Sequence, residues 1–154
     1  MFKHTVFAAL TYFALPLVFA NGVFQTVSGD VRSGAVGAPP VATPVNSRIV
    51  GGTTVTTGPN SRATIRLDDG HTVAMAENSR FVLKAYKFGR ADPISNSIVV
   101  QLVKGALRSF SGLIGGKNPG RFALITATTT LGIRGTDFNV MLVNPFYISK
   151  RGFC

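Results

Sequence analysis

Residues 52–67 and 70–85 are versions of one another. The first reads Gly-Thr-Thr-Val-Thr-Thr-Gly-Pro-Asn-Ser-Arg-Ala-Thr-Ile-Arg-Leu and the second Gly-His-Thr-Val-Ala-Met-Ala-Glu-Asn-Ser-Arg-Phe-Val-Leu-Lys-Ala. At an offset of 18, six of 16 positions are identical: Gly52/Gly70, Thr54/Thr72, Val55/Val73, Asn60/Asn78, Ser61/Ser79 and Arg62/Arg80. Composition alone gives about one such match. Asn46-Ser47-Arg48 carries the tripeptide again, and residues 105–122 echo the unit more faintly. A period near 20 residues describes stacked strand–turn–strand units, each covering the apolar face of the next. Two related hairpins in a sandwich satisfy the same pattern.

The rest of the chain has the same texture. Short runs rich in β-branched residues alternate with Gly, Asn and Asp turns, which predicts strands over 53–57, 62–67, 71–75, 80–87, 97–104, 107–110, 121–131 and 137–143. Ala63, Ile65 and Leu67 point one way and Thr64 and Arg66 the other; Phe81, Leu83 and Ala85 repeat this with Lys84 outward, and so do Phe138, Val140 and Leu142. Asp69-Gly70 is the strongest hairpin signal in the chain. No stretch after residue 20 has a helical stripe with caps. The expected fold is all-β: a compact domain of stacked strand–turn–strand units, solenoid-like or a sandwich. A length of 154 residues suits one such domain. It divides into residues 1–20, a strand and loop over 21–47, the β domain over 48–143 and a short tail over 144–154.

The first 20 residues have a different character. Met1-Phe-Lys-His carries Lys3, residues 5–20 are apolar, and Val18-Phe19-Ala20 is a small-x-small cleavage pattern. This is the layout of a secretory signal peptide, forming a short helix and cut near Ala20. The apolar run is shorter than the ~20 residues that span a bilayer as a helix, so no transmembrane span is expected after cleavage. An uncleaved anchor is the alternative.

Composition narrows the chemistry. Sixteen Lys and Arg face six Asp and Glu, a formal charge of +10, which favours an anionic partner. Apart from the adjacent Lys150 and Arg151, the bases are spread singly from Arg32 onward, with no run of three, which disfavours nucleic acid. One cysteine, Cys154, excludes an internal disulfide framework and a multi-cysteine metal site. The histidines are His4 and His71, and the acids Asp30, Asp68, Asp69, Glu77, Asp92 and Asp137. Asp68 and Asp69 form a formal carboxylate pair, but at a turn both are expected to face water. There is no G-x-S-x-G, and 112–117 lacks the phosphate-loop spacing and reads as a glycine turn with a surface lysine, Lys117. No catalytic residue, cofactor or metal is expected, and the chain is read as not an enzyme. Gly132-Ile133-Arg134-Gly135-Thr136-Asp137-Phe138 stands apart. Gly135 permits a sharp bend, and Arg134 has the donors to staple the domain shut on a carboxylate or a turn carbonyl, or to meet a partner.

Arg134-Gly-Thr-Asp-Phe138, preceded by Thr126-Ala-Thr-Thr-Thr-Leu-Gly-Ile133, resembles the closing signature of the FecR domain family. The other blocks follow in order. Val50-Gly-Gly-Thr-Thr-Val-Thr-Thr-Gly58 resembles the opening strand, and Ser61-Arg-Ala-Thr-Ile-Arg-Leu-Asp-Asp-Gly70-His-Thr-Val73 the central strand, turn and strand. Asn78-Ser79 with Phe81 and Leu83, then Gly105-Ala-Leu-Arg108, match the segments before the final block. The likeness covers roughly residues 48–140. It implies an all-β periplasmic domain without catalytic activity, in which Asp69, Gly70, Arg134, Gly135, Thr136 and Phe138 are signature, structural positions. It also implies a protein partner, since regulators of this family receive a signal by contacting an outer-membrane transporter. Those regulators place a cytoplasmic anti-sigma segment and a membrane helix before the domain, where this sequence has the export pattern. The reading is therefore an exported protein of a Gram-negative bacterium, periplasmic or secreted, that binds or signals through protein contact. The alternative is a structural, cell-envelope β protein that self-associates or binds glycan. Arg66, Lys84, Lys87 and Arg90 are the expected partner contacts. The family pattern usually continues with more strands after Phe138, so an exposed edge strand is expected to invite self-pairing.

Overall fold

The protein was analysed as a computed structural model, which describes residues 21–89, 91, 93–132, 137–142 and 148–151. The export-signal segment 1–20, Arg90, Asp92, residues 133–136 with Arg134, Gly135 and Thr136, most of the tail and Cys154 lie outside the described residues. Among the described residues fourteen strands run in chain order: β1 (Gly22–Ser28), β2 (Val31–Ala35), β3 (Val41–Ala42), β4 (Arg48–Ile49), β5 (Thr53–Thr57), β6 (Arg62–Leu67), β7 (Thr72–Met75), β8 (Arg80–Lys87), β9 (Ser97–Lys104), β10 (Ala106–Phe110), β11 (Phe122–Ile125), β12 (Thr130–Gly132), β13 (Asp137–Leu142) and β14 (Ile148–Arg151). A short α-helix, α1 (Leu113–Lys117), lies between β10 and β11, and single 3-10 turns stand at Pro93–Ser95 and Pro119–Arg121. The fold is all-β, as expected, in two seven-stranded sheets. The first has the order β14-β13-β10-β7-β6-β1-β4 and the second β12-β11-β9-β8-β5-β2-β3.

The connections explain the repeat. β5 belongs to the second sheet and β6 to the first, so residues 58–61 form an arch from one sheet to the other. β7 and β8 form the next arch in the reverse direction, over residues 76–79. The Asp69-Gly70 turn joins the two as a true hairpin, with β6 antiparallel to β7. Each copy of the repeat is therefore one arch, not one in-sheet hairpin. β1–β2, β3–β4, β4–β5 and β9–β10 cross between the sheets as well. The bends fall on Asn46 (φ 65°), Gly29 (φ 75°), Asn60 and Asn78 (both φ 51°) and Gly105 (φ 83°). Asparagine and glycine are the residues that enter the left-handed region at least cost, which is why the tripeptide recurs.

In the two central arches the serine that follows Asn is the clamp to a neighbouring arch, whereas Ser47 donates within its own bend to Pro44 O at 2.6 Å. Ser61 Oγ accepts from the Asp30 amide at 2.8 Å and donates to Pro59 O at 2.9 Å. Ser79 Oγ repeats this, accepting from the Ala106 amide at 3.0 Å and donating to Glu77 O at 3.0 Å. The two central arches thus each lock onto an outer neighbour, Ser61 onto the Gly29 arch and Ser79 onto the Gly105 arch. Between themselves they are tied by Thr57, whose hydroxyl donates to Ala76 O at 2.6 Å and accepts from the Ser79 amide at 3.0 Å.

Alternating side chains from both sheets fill the space between them. Phe24, Ile65, Val73, Leu107 and Val140 come from the first sheet and Val55, Phe81, Leu83, Val100, Leu102, Phe122 and Leu124 from the second. Phe24, Phe81 and Phe122 are fully buried, each contributing about 2–3 kcal/mol by area removed from water. The alternation holds for β6 and β13. It fails in β8, where the register shifts between Leu83 and Ala85. This bulge leaves Ala85 exposed and turns Tyr86 toward the interior. The segment 121–131, expected as one strand, is two, because residues 126–129 turn back with Thr126 bonded to Thr129. Segment 21–47 supplies strands to both sheets and two core residues, Phe24 and Val31. Among the described residues no helix is long and apolar enough to cross a membrane.

Candidate functional site

The polar centre of the molecule grows from the turn Leu67-Asp68-Asp69-Gly70-His71. The Gly70 amide donates to Leu67 O at 2.9 Å and the Leu67 amide to His71 O at 2.8 Å, with Gly70 at φ 87°. This is a three-residue hairpin loop with its glycine in the left-handed position. The loop corrects one expectation. Asp68 is exposed, but Asp69 is only 3% exposed and points inward. Asp69 Oδ1 accepts from the His71 amide at 3.1 Å and from the Tyr86 hydroxyl at 3.2 Å, and Oδ2 accepts from the Ile114 amide at 3.2 Å. Its own amide donates to the Tyr86 hydroxyl at 2.8 Å, and its carbonyl accepts from the Leu113 amide at 2.9 Å.

One aspartate therefore ties together the β6–β7 turn, β8 and the first turn of α1. The β8 bulge is what brings Tyr86 to it. Gly112 lets the helix approach. A Cβ there would strike the His71 amide and lie 2.6 Å from Asp69 O and 2.7 Å from Asp69 Oδ2. The segment expected as a plain glycine turn is thus a helical turn docked on Asp69. Burial and the neighbouring carboxylate push the Tyr86 hydroxyl well above its ordinary range.

His71 lies beneath, fully buried, with Nε2 2.7 Å from Ser109 Oγ. Its ring stacks on Phe122 at 4.8 Å between centroids, and Phe122 meets Phe138 edge-on at 5.7 Å. Burial lowers the imidazole to about 4, against the raising pull of Asp69, so the ring is neutral near pH 7. By residue type Asp69, His71 and Ser109 make a hydrolytic triad. By geometry they do not. Asp69 bonds the main chain of His71, Nδ1 has no hydrogen-bond partner among the described residues, and Ser109 is 1% exposed. A triad needs a carboxylate on Nδ1 and a nucleophile open to substrate. Among the described residues no three His, Cys, Asp or Glu cluster to hold a metal.

The other signature residues are partly visible. Phe138 is buried against Phe122, and Asp137 takes a two-point bond from Arg108, Nη2 to Oδ2 at 2.6 Å and Nε to Oδ1 at 3.2 Å. Arg108 also lies over the Phe110 ring at 4.7 Å. The Gly105–Arg108 block and the closing block therefore meet on adjacent strands β10 and β13. The guanidinium beside it holds the Asp137 carboxyl below its usual range. Arg66 lies in the first sheet, whereas Lys84 and Lys87 lie on β8 in the second. Arg90 lies outside the described residues. Sequence reasoning missed Tyr86 and Ser109. Ser109 was open to it, since alternation from Leu107 puts it inside.

Grooves open on the surface among the described residues. One, of about 220 Å³, lies between Phe88, Asn96, Leu113 and Lys117. Another, of about 330 Å³, lies at the arch end of the second sheet between Thr56, Asn78, Arg80, Val103 and Lys104.

These features define a class: a two-sheet stack of β-arches whose polar centre is closed on itself. Residues 53–145 match the model of the FecR protein family. The chain belongs to that family, a signalling-related one. No curated protein sequence matches the chain. Among solved structures, a chain described as a cell surface anchoring domain is 26% identical, with 40% of this chain and 82% of that one covered at a TM-score of 0.38.

Proposed function

We propose that this chain is a non-catalytic, exported protein-binding or signalling module of the Gram-negative envelope, periplasmic or secreted after cleavage near Ala20. One observation carries the reading: the residues best suited to catalysis, Asp69, His71 and Ser109, are buried and satisfy main-chain and core partners. The free polar chemistry lies on the sheet surfaces, where it suits contact with another macromolecule. β8 carries three exposed bases, Arg80, Lys84 and Lys87. Arg66, on the other sheet, would belong to a separate surface. Family membership and the 1–20 export pattern support the location.

The test is expression of the full chain in a Gram-negative host, with fractionation, N-terminal sequencing and crosslinking mass spectrometry of the periplasmic pool. A product beginning at Asn21 and crosslinked to an envelope protein is expected. Retention of residues 1–20 in the inner membrane overturns the location. Crosslinks to itself alone favour a second reading, self-association. That reading has its own observation: Val36, Val41 and Val45 stand 63%, 66% and 51% exposed around the edge strand β3, an open edge of the kind that pairs with another chain.

A further inference from the structure

Arg80 and Lys104 are direct partners across β8 and β9. Like charges directly opposite one another in a sheet repel, and among the described residues no ion pair offsets them. Among the described residues the ion pairs are Arg32–Asp30 and Arg108–Asp137. The pair lies on one side of the arch-end groove, with Thr56 on the strand beside Arg80 and Asn78 in the bend before it. Among the described residues, the side chains of Thr56, Asn78, Arg80 and Lys104 make no hydrogen bond or ion pair. Four side-chain donors thus converge on one groove whose lining holds no carboxylate.

The main chain around the groove is already spent. The Thr57 amide donates to Ser79 O, the Asn78 amide to Gly58 O and the Ser79 amide to Thr57 Oγ1. A phosphate cradle needs free main-chain amides converging on it, and these are taken. What remains is a fork of long cationic side chains, suited to carboxylates, beside an apolar contact, Val103, 40% exposed. The groove is open and runs across strands, and Arg32, paired with Asp30, lies beyond Thr56 on the same row. From this geometry we infer that the arch-end groove docks an acidic polypeptide segment, with carboxylates on Arg80 and Lys104 and an apolar residue against Val103. The inference rests on the protein-binding reading above and names the site and partner chemistry for it.

The test is fluorescence anisotropy on the full chain with a rhodamine-labelled octapeptide of alternating Glu and Val, at about 50 mM and about 300 mM salt. The wild-type protein is expected to bind at low salt and weaken at high salt. The double variant Arg80→Gln/Lys104→Gln should lose about tenfold or more in affinity. Arg48→Gln/Arg121→Gln removes the same charge elsewhere and should stay within about twofold. Equal weakening by both doubles, or no binding by the wild type, overturns the inference. So does tighter, Arg80- and Lys104-dependent binding of inorganic phosphate, phosphatidylglycerol vesicles or a single-stranded oligonucleotide. Thermal melting guards against misfolding: relief of the like-charge pair should leave the midpoint of Arg80→Gln/Lys104→Gln at or above wild type, and a lower one makes the pair structural and overturns the inference. If that variant still crosslinks to its envelope partner, the groove is refuted as the site while the binding-module reading stands.

Discussion

His71 shows how much one residue's surroundings decide. A neutral buried imidazole held at about 4 differs from its unfolded value of 6.5. Between those two values the unfolded chain binds a proton that the folded chain refuses. Stability should therefore be unaffected by His71 above about pH 6.5 and fall as the pH drops toward 4, by about 1.4 kcal/mol per pH unit and about 3 kcal/mol in all. Urea midpoints from pH 4 to 8 measure this. His71→Phe keeps a ring against Phe122 but leaves the Ser109 hydroxyl unpaired, so it should cost about 1–3 kcal/mol at pH 7 and flatten the slope below pH 6.5. A slope that survives the substitution would place the acid sensitivity elsewhere. Little of this was legible beforehand. Asp69-Gly70 announced a turn, and turn acids ordinarily face water. Asp69 is buried because a helical turn and a bulged strand, both remote in sequence, close over it; the helical turn carries no periodic signal, and the alternation read through Phe81, Leu83 and Ala85 is broken by the bulge that turns Tyr86 inward.

At the scale of the element, the arches read most plainly in the sequence. The Asn-Ser-Arg tripeptide repeats because the same bend and strand start recur, with the serine clamp at Ser61 and Ser79. Its identity as an inter-sheet arch was not readable, since an arch and a hairpin place the same residues at the bend. What separates them is Ser61 and Ser79 bonding to a neighbouring arch, a contact between remote segments. Gly105 and Gly70 isolate the packing cost from the backbone cost. Both have left-handed φ, 83° and 87°, but a Cβ on Gly105 would meet the Ser79 side chain and lie 2.7 Å from its Cα, whereas one on Gly70 meets nothing within 4 Å. Gly70→Ala should cost about 1–2 kcal/mol, and Gly105→Ala clearly more, above about 3 kcal/mol. Equal losses in chemical denaturation would mean that the arch gives way and the serine clamp is slack.

For the whole molecule, charge and connectivity matter most. A formal charge of +10 with six acids leaves a net self-repulsion that salt screens. The melting temperature should rise by a few degrees between about 20 mM and about 300 mM sodium chloride, and no rise would mean that the bases are too far apart to interact. Successive arches also cross in opposite senses, from the second sheet to the first and then back. A single extra 18-residue unit inserted after β8 would deliver the chain to the wrong sheet for β9, while a pair would restore it. The stack therefore obeys a parity rule: it can be lengthened or shortened by even numbers of arches without rewiring its closing strands. Length variants of this architecture should differ by whole pairs of units, and a duplication of one should not fold.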